Sequence, residues 1–131
     1  MAQGRRDYTS GILSETGTGA RYTECYFHYE GHLVGSMYSH LLWDYTCPAG
    51  KRLGINSIHV STSSRALETM EIDYKGNNAA KVHFSENHVF TFSDQNPLYV
   101  VAGENIQIRV FNYDEINAYF YLCIIGVLES L

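Results

Sequence analysis

The chain has 131 residues, with 14 Asp and Glu against 9 Lys and Arg for a formal charge of −5, and 45% apolar against 18% charged residues. That length suits one domain around one core, roughly 100–150 residues being typical, and the acidic balance excludes a broad phosphate-binding surface, so no nucleic-acid partner is expected. No apolar run approaches the ~18–20 residues that cross a bilayer, and no apolar signal core opens the chain, so neither a membrane span nor a leader is expected.

Residues 1–21 contain four glycines, several Ser and Thr, and no sustained periodicity. Glycine raises the entropic cost of ordering, which predicts an extended amino-terminal arm ahead of a domain at 22–131. The arm is either a solvated end or a clamp on a neighbouring subunit, with Arg5, Arg6, Tyr8, Ile12 and Leu13 as its contacts.

From residue 22 the period is two. Tyr22, Glu24, Tyr26 and His28 share one strand face, and Thr23, Cys25, Phe27 and Tyr29 the other. Gly31 and Gly35 are expected to bracket a turn or bulge. Residues 41–46 read as a second strand closed by a Cys47-Pro48-Ala49-Gly50 turn, and 53–62 as a third in strict alternation. Residues 63–67 are a loop or one helical turn, and 68–74 a fourth strand. Lys75-Gly76-Asn77-Asn78 is a reverse-turn signal, because Gly and Asn tolerate positive φ. Further strands follow around Val82 and Phe84, at 89–92, at 98–101 and at 106–112, separated by polar turns. Residues 118–129 are apolar on both faces, which at this length predicts a central strand. One face lies on the core; the other requires a partner or a covering segment. Short strands at 8–12-residue spacing, without a long helix, predict an all-β fold: an antiparallel β-sandwich, jelly-roll-like.

Cys25, Cys47 and Cys123 lack the CxxC spacing of zinc ribbons and redox motifs. Cys123, within an apolar run, reads as a small buried hydrophobe. Cys25 and Cys47 either pair or are both core thiols, and a reducing compartment is the default. The eleven tyrosines suit strands and surfaces where an apolar body meets a partner. Together with the low charge count they point to a subunit interface, for which the candidates are Tyr119, Tyr121, Cys123 and Ile125 on the last strand and Leu42, Trp43 and Tyr45 on the second.

Two turns echo one another: Pro48-Ala49-Gly50-Lys51 and Val101-Ala102-Gly103-Glu104 each precede an alternating strand, as two equivalent corners of one sandwich would. With the strand at 106–112 and the apolar strand ending at 124–129, these corners resemble small jelly-roll virion proteins of tailed viruses, both capsid decoration (cement) proteins and fibre-tip sandwiches. The resemblance covers about 41–129. It implies a non-enzymatic virion structural protein, made in the host cytoplasm and seated on a major capsid or other virion protein as a homo-oligomer, commonly a homotrimer, with no cofactor.

Two other readings compete. A carbohydrate- or receptor-binding fibre tip would use Tyr8, Tyr38, Trp43, Tyr74 and Tyr113 to stack on a glycan, if they gather on one exposed face. A cupin-like metal enzyme would draw on His28, Glu30 and His32, which share a face in an extended strand. The chain has no His-x-His pair, and the order His-x-Glu-x-His is not the helical His-Glu-x-x-His motif. No Gly-x-Ser-x-Gly elbow or phosphate-cradling loop is present.

Overall fold

The computed structural model describes residues 22–131, with the side chain of residue 22 left aside. The expected arm, with Arg5, Arg6, Tyr8, Ile12 and Leu13, lies outside the described residues. Among the described residues nine strands follow in order: β1 (Tyr22–Val34), β2 (Ser39–Thr46), β3 (Lys51–Thr62), β4 (Glu68–Tyr74), β5 (Asn77–Phe84), β6 (Asn87–Thr91), β7 (Leu98–Val101), β8 (Asn105–Phe111) and β9 (Ala118–Ser130).

The strands form two sheets, ordered β1-β9-β3-β6 and β2-β8-β4-β5, with β7 pairing the first half of β3. Every pairing is antiparallel. First pairs with last, second with second-to-last, third with sixth and seventh, fourth with fifth. This is one long hairpin rolled over itself, the jelly roll expected from the sequence.

The turns are built by the residues the sequence singles out. Lys75 (φ 55°) and Gly76 (φ 79°) are the two central residues of a hairpin that pairs Tyr74 with Asn77, as a two-residue turn with positive φ at both positions requires. Gly50 (φ 76°) and Gly103 (φ 83°) occupy left-handed positions in the two echoing corners. These corners touch each other: Cys47 N–H donates to Glu104 O at 2.9 Å, and Gly103 N–H donates to Cys47 O at 2.8 Å.

The core fills the space between the sheets with Leu53, Ile55, Ile58 and Val60 of β3, Ile106, Ile108 and Val110 of β8, and Phe120, Leu122 and Ile124 of β9, all fully buried. Two irregularities interrupt the period of two. In β3 the pairing with β9 shifts at Asn56, so Leu53 and Ile55 point inward before it and Ile58 and Val60 after it. The strict alternation expected across 53–62 is therefore replaced by a change of face halfway. In β2 the register with β8 skips Leu42, and both Leu42 (1% exposed) and Trp43 (5%) turn into the core. These two were expected at a subunit interface; the bulge buries them in their own sandwich. A third correction concerns β1, which runs unbroken through Gly31 because the Tyr121 ring lies across that position, where a Cβ would sit 2.6 Å from Cδ1.

Candidate assembly face

β9 lies between β1 and β3, and its inward side chains are spent on the core. Its outward side chains, Tyr119, Tyr121, Cys123, Ile125 and Val127, join those of its neighbours in register. One row across the sheet reads Phe27, Ile125, Ser57, Thr91; the next reads Tyr29, Cys123, His59, Val89; the next Gly31, Tyr121, Ser61, Asn87. Leu33 and Tyr119 close one end. Phe27 (66% exposed), Tyr29 (58%), Leu33 (54%) and Ile125 (47%) are open to solvent. No Asp, Glu, Lys or Arg belongs to these rows. At the far end the Arg52–Glu129 ion pair, at 2.6 Å, marks the rim, with the Arg52 guanidinium 4.2 Å from the Tyr99 ring centroid.

Three tyrosines are ordered against one another on this face. The Tyr29 and Tyr121 rings stack at 6.3 Å with an interplanar angle of 12°, and Tyr119 and Tyr121 at 6.1 Å with 14°. Gly31 makes the room: with no Cβ, it lets the Tyr121 ring lie flat on the strand. Apolar bodies with polar tips, held in fixed rotamers, are the composition that enriches the core of protein interfaces. The expected contribution of Tyr119, Tyr121, Cys123 and Ile125 is thus placed on an open surface. Tyr45 is half-buried against Trp43 and Tyr26 instead.

The inward side chains of β1 meet those of β2 where the two sheets' outer strands face each other. The His28 ring stacks on Trp43 at 5.8 Å, Trp43 on Tyr45 at 5.3 Å, and His32 meets His40 at 4.6 Å. Glu30 sits in the middle, accepting from His28 Nε2 at 2.6 Å through one oxygen and from His32 Nε2 at 2.5 Å through the other. Partial burial alone would raise the Glu30 carboxyl, but the hydrogen bonds from His32 and His28 outweigh it and hold the group below its usual range. His40 is held below the ordinary imidazole value by burial first, then by the neighbouring His32 charge. Burial likewise raises the phenols of Tyr26 and Tyr45. His28, Glu30 and His32, the candidate metal ligands, are therefore brought together, with the Nε2 of each imidazole turned to the Glu30 carboxylate. Among the described residues no three His, Cys, Asp or Glu side chains are arranged to hold a metal ion.

The loops at one end of the sandwich form a second cluster that sequence reading does not find. Buried Asn112 donates to Val34 O and Ile116 O, both at 3.0 Å, and accepts from Asp114 N–H. Asp114 in turn accepts from Ser64 Oγ and Arg65 N–H, contacts that hold its carboxyl low. Fully buried Glu68 accepts from Tyr113 N–H at 2.7 Å, while its Oε2 has no partner among the described residues. On this braced platform Met37, Tyr38, Leu67, Tyr113 and Ile116 are exposed. Of the candidate sugar-stacking residues, Tyr38 and Tyr113 lie here, Trp43 is in the core, Tyr74 is half-buried with its hydroxyl donating to Tyr99 O, and Tyr8 lies outside the described residues. The four that are described do not gather on one face. Cys25, Cys47 and Cys123 are all free: Cys25 and Cys123 on the outer face, Cys47 buried, so the pairing of Cys25 with Cys47 left open by the sequence does not occur.

No family model and no curated protein sequence matches the chain. Among solved structures it is similar to a Bacillus endospore appendage protein of a family of disulfide-linked pili, with a TM-score of 0.54 at 8% identity over 91% of this chain and 96% of that one. It is similar to PirA with a TM-score of 0.51 at 13% identity, covering 72% and 90% of the two chains. The virus-like particle of the Macrobrachium rosenbergii extra small virus aligns over 92% of this chain and 87% of its own, at 10% identity and a TM-score of only 0.35. At such identities the likeness is one of fold alone: a distant structural resemblance to assorted β-sandwich proteins, with no sequence family attached.

Proposed function

We propose that the chain is a non-enzymatic structural protein of a virus particle, a decoration protein that assembles as a homo-oligomer on the particle surface. The observation that carries the assembly part is the uncharged outer face of the β1-β9-β3-β6 sheet, where aromatic and aliphatic side chains from three strands stand open to solvent. A contiguous apolar surface of that kind marks a site of association rather than of solvation. Affinity would come from burying it, at about 25 cal/mol per Å² before the costs of association are subtracted. The virion location rests on the corner and strand motifs at 48–51, 101–104, 106–112 and 124–129. Its partner there would be the major capsid protein or another virion protein. The test is quantitative mass spectrometry of a purified particle combined with binding of the isolated chain to particles that lack it. Multiple copies per particle and saturable rebinding are expected; absence from particles would remove the virion assignment.

A second reading, a glycan- or receptor-binding tip, is favoured by one observation: Tyr38 (71% exposed) and Tyr113 project from loops braced by Asn112 and Glu68. Glycan-array signal that disappears in Tyr38→Ala would support it, and a silent array would remove it.

A further inference from the structure

We infer that the occupant of the uncharged outer face is the same face of a second copy, packed sheet on sheet about a two-fold axis. This rests on the assembly reading above and specifies its contact. Charge separates the two outer faces of the sandwich. The outer face of the opposite sheet carries Asp44, Glu71, Asp73, Lys81 and Arg109 on outward positions. Stacking that face on the uncharged one, head to tail, would bury several charged groups against a surface that offers them no partner, which is costly. The face offers a partner no carboxylate, ammonium or guanidinium, its one imidazole being His59, so it selects a surface equally free of such groups, and the chain supplies one.

A head-to-tail stack leaves one apolar face open at its end, whereas a two-fold contact hides both copies at once, the commonest arrangement of soluble homo-oligomers. Outward residues of β9 from Tyr119 to Val127 span about 27 Å at ~3.4 Å per residue, and four strands at ~4.8 Å make the face about 19 Å wide. The planar footprint is therefore roughly 500 Å² per copy, or about 1,000 Å² for the pair before side-chain relief is counted, which meets the area a biological interface has to clear. The Tyr29, Tyr121 and Tyr119 rings already stack on one another at the surface, in an arrangement a partner can cover without reordering them.

Cys123 reports on this contact without engineering, because it stands at the centre of the face beside Tyr29 and His59. The full chain is sedimented at micromolar concentration while the native protein is alkylated and the rate at Cys123 followed by mass spectrometry. A dimer is expected in which Cys123 reacts about tenfold more slowly than in diluted monomer, a ratio equivalent to 1.4 kcal/mol. Ile125→Arg, or Phe27→Arg if the first misfolds, is expected to give monomer with fast labelling. An oligomer whose Cys123 reacts as fast as in the monomer, or a three-fold assembly, overturns the face-to-face contact and leaves the assembly reading standing. A monomer, whether Cys123 reacts quickly or slowly, overturns both.

Discussion

Replacing Gly126 by alanine should destabilise the protein, against the usual expectation for a glycine in a strand. Gly126 sits in β9 where the pairing with β3 shifts, and a Cβ there would lie 2.3 Å from the carbonyl oxygen of Gly54 and 3.1 Å from Ile55 Cα. Real Cβ atoms essentially never come within 3.0 Å of a neighbour, so two central strands must separate by at least about 0.7 Å where their ladder bonds are short. Overpacking of this kind costs about 1–3 kcal/mol. Gly126 does not need positive φ, so alanine recovers about 0.4–1 kcal/mol by restricting the unfolded chain. Midway through both ranges the net is a loss of about 1.3 kcal/mol, which lowers Tm by roughly 4–8 °C in a domain of this size. Gly31→Ala is the control, because its Cβ meets only the Tyr121 ring, which can swing into solvent, for a loss under about 1 kcal/mol. Thermal and urea unfolding of the three proteins decide the matter. A Gly126→Ala protein as stable as its parent would refute the close approach of β9 to β3.

Three further outcomes are expected. Stability should fall as pH drops: His40, whose folded value is depressed, contributes stability that is present above its ordinary value near 6.5 and declines below it, and Glu30, also depressed, contributes stability that is lost lower still, as pH falls through its folded value. His40→Gln should flatten the upper part of the loss and Glu30→Gln the lower part, read as urea midpoints at several pH values; profiles parallel to the parent's would contradict this. Asn112→Ala should cost about 2–3 kcal/mol, since it strands the buried carbonyl of Val34 and the part-buried carbonyl of Ile116 and N–H of Asp114, and Asn112→Asp at least as much, because a carboxylate would face the carbonyls of Val34 and Ile116; unfolding within experimental error of the parent would show the platform is not braced there. A denatured, unreduced sample should titrate three thiols per chain, and a count of one would contradict the unpaired Cys25 and Cys47.

Much of the architecture is legible in the sequence because it is local. The Lys75-Gly76 hairpin, the corners at Gly50 and Gly103 and the doubly apolar last strand each follow from residue types within a few positions. What is not legible depends on partners distant in sequence. A bulge moves a strand by one residue, and at Leu42 and Asn56 that single step decides which side chains are buried. Gly31 reads as a turn until Tyr121 is seen to cover it.

The candidate site divides the same way. Alternation along β9 marks Tyr119, Tyr121, Cys123 and Ile125 as a second apolar face, but only the register shows that Phe27, Tyr29, Leu33 and Val89 extend it across neighbouring strands. Glu68 and Asn112 organise the loop end from within the core: Asn112 reads from the sequence as a turn former and does accept from Asp114 N–H two residues on, but its bond to Val34 O, 78 positions away, and that of Glu68 to Tyr113 N–H, 45 positions away, have no local signature. The histidines of β1 share a face as the period predicts, and Glu30 between them takes both imidazoles for itself.

The central claim is that the outer face of the β1-β9-β3-β6 sheet is an assembly surface. Sedimentation velocity of the full chain at micromolar concentration, beside Ile125→Arg shown by circular dichroism to be folded, tests it most directly. A homo-oligomer for the parent and a monomer for the variant are predicted; a monodisperse monomer for the parent, or an oligomer that Ile125→Arg leaves intact, would contradict it.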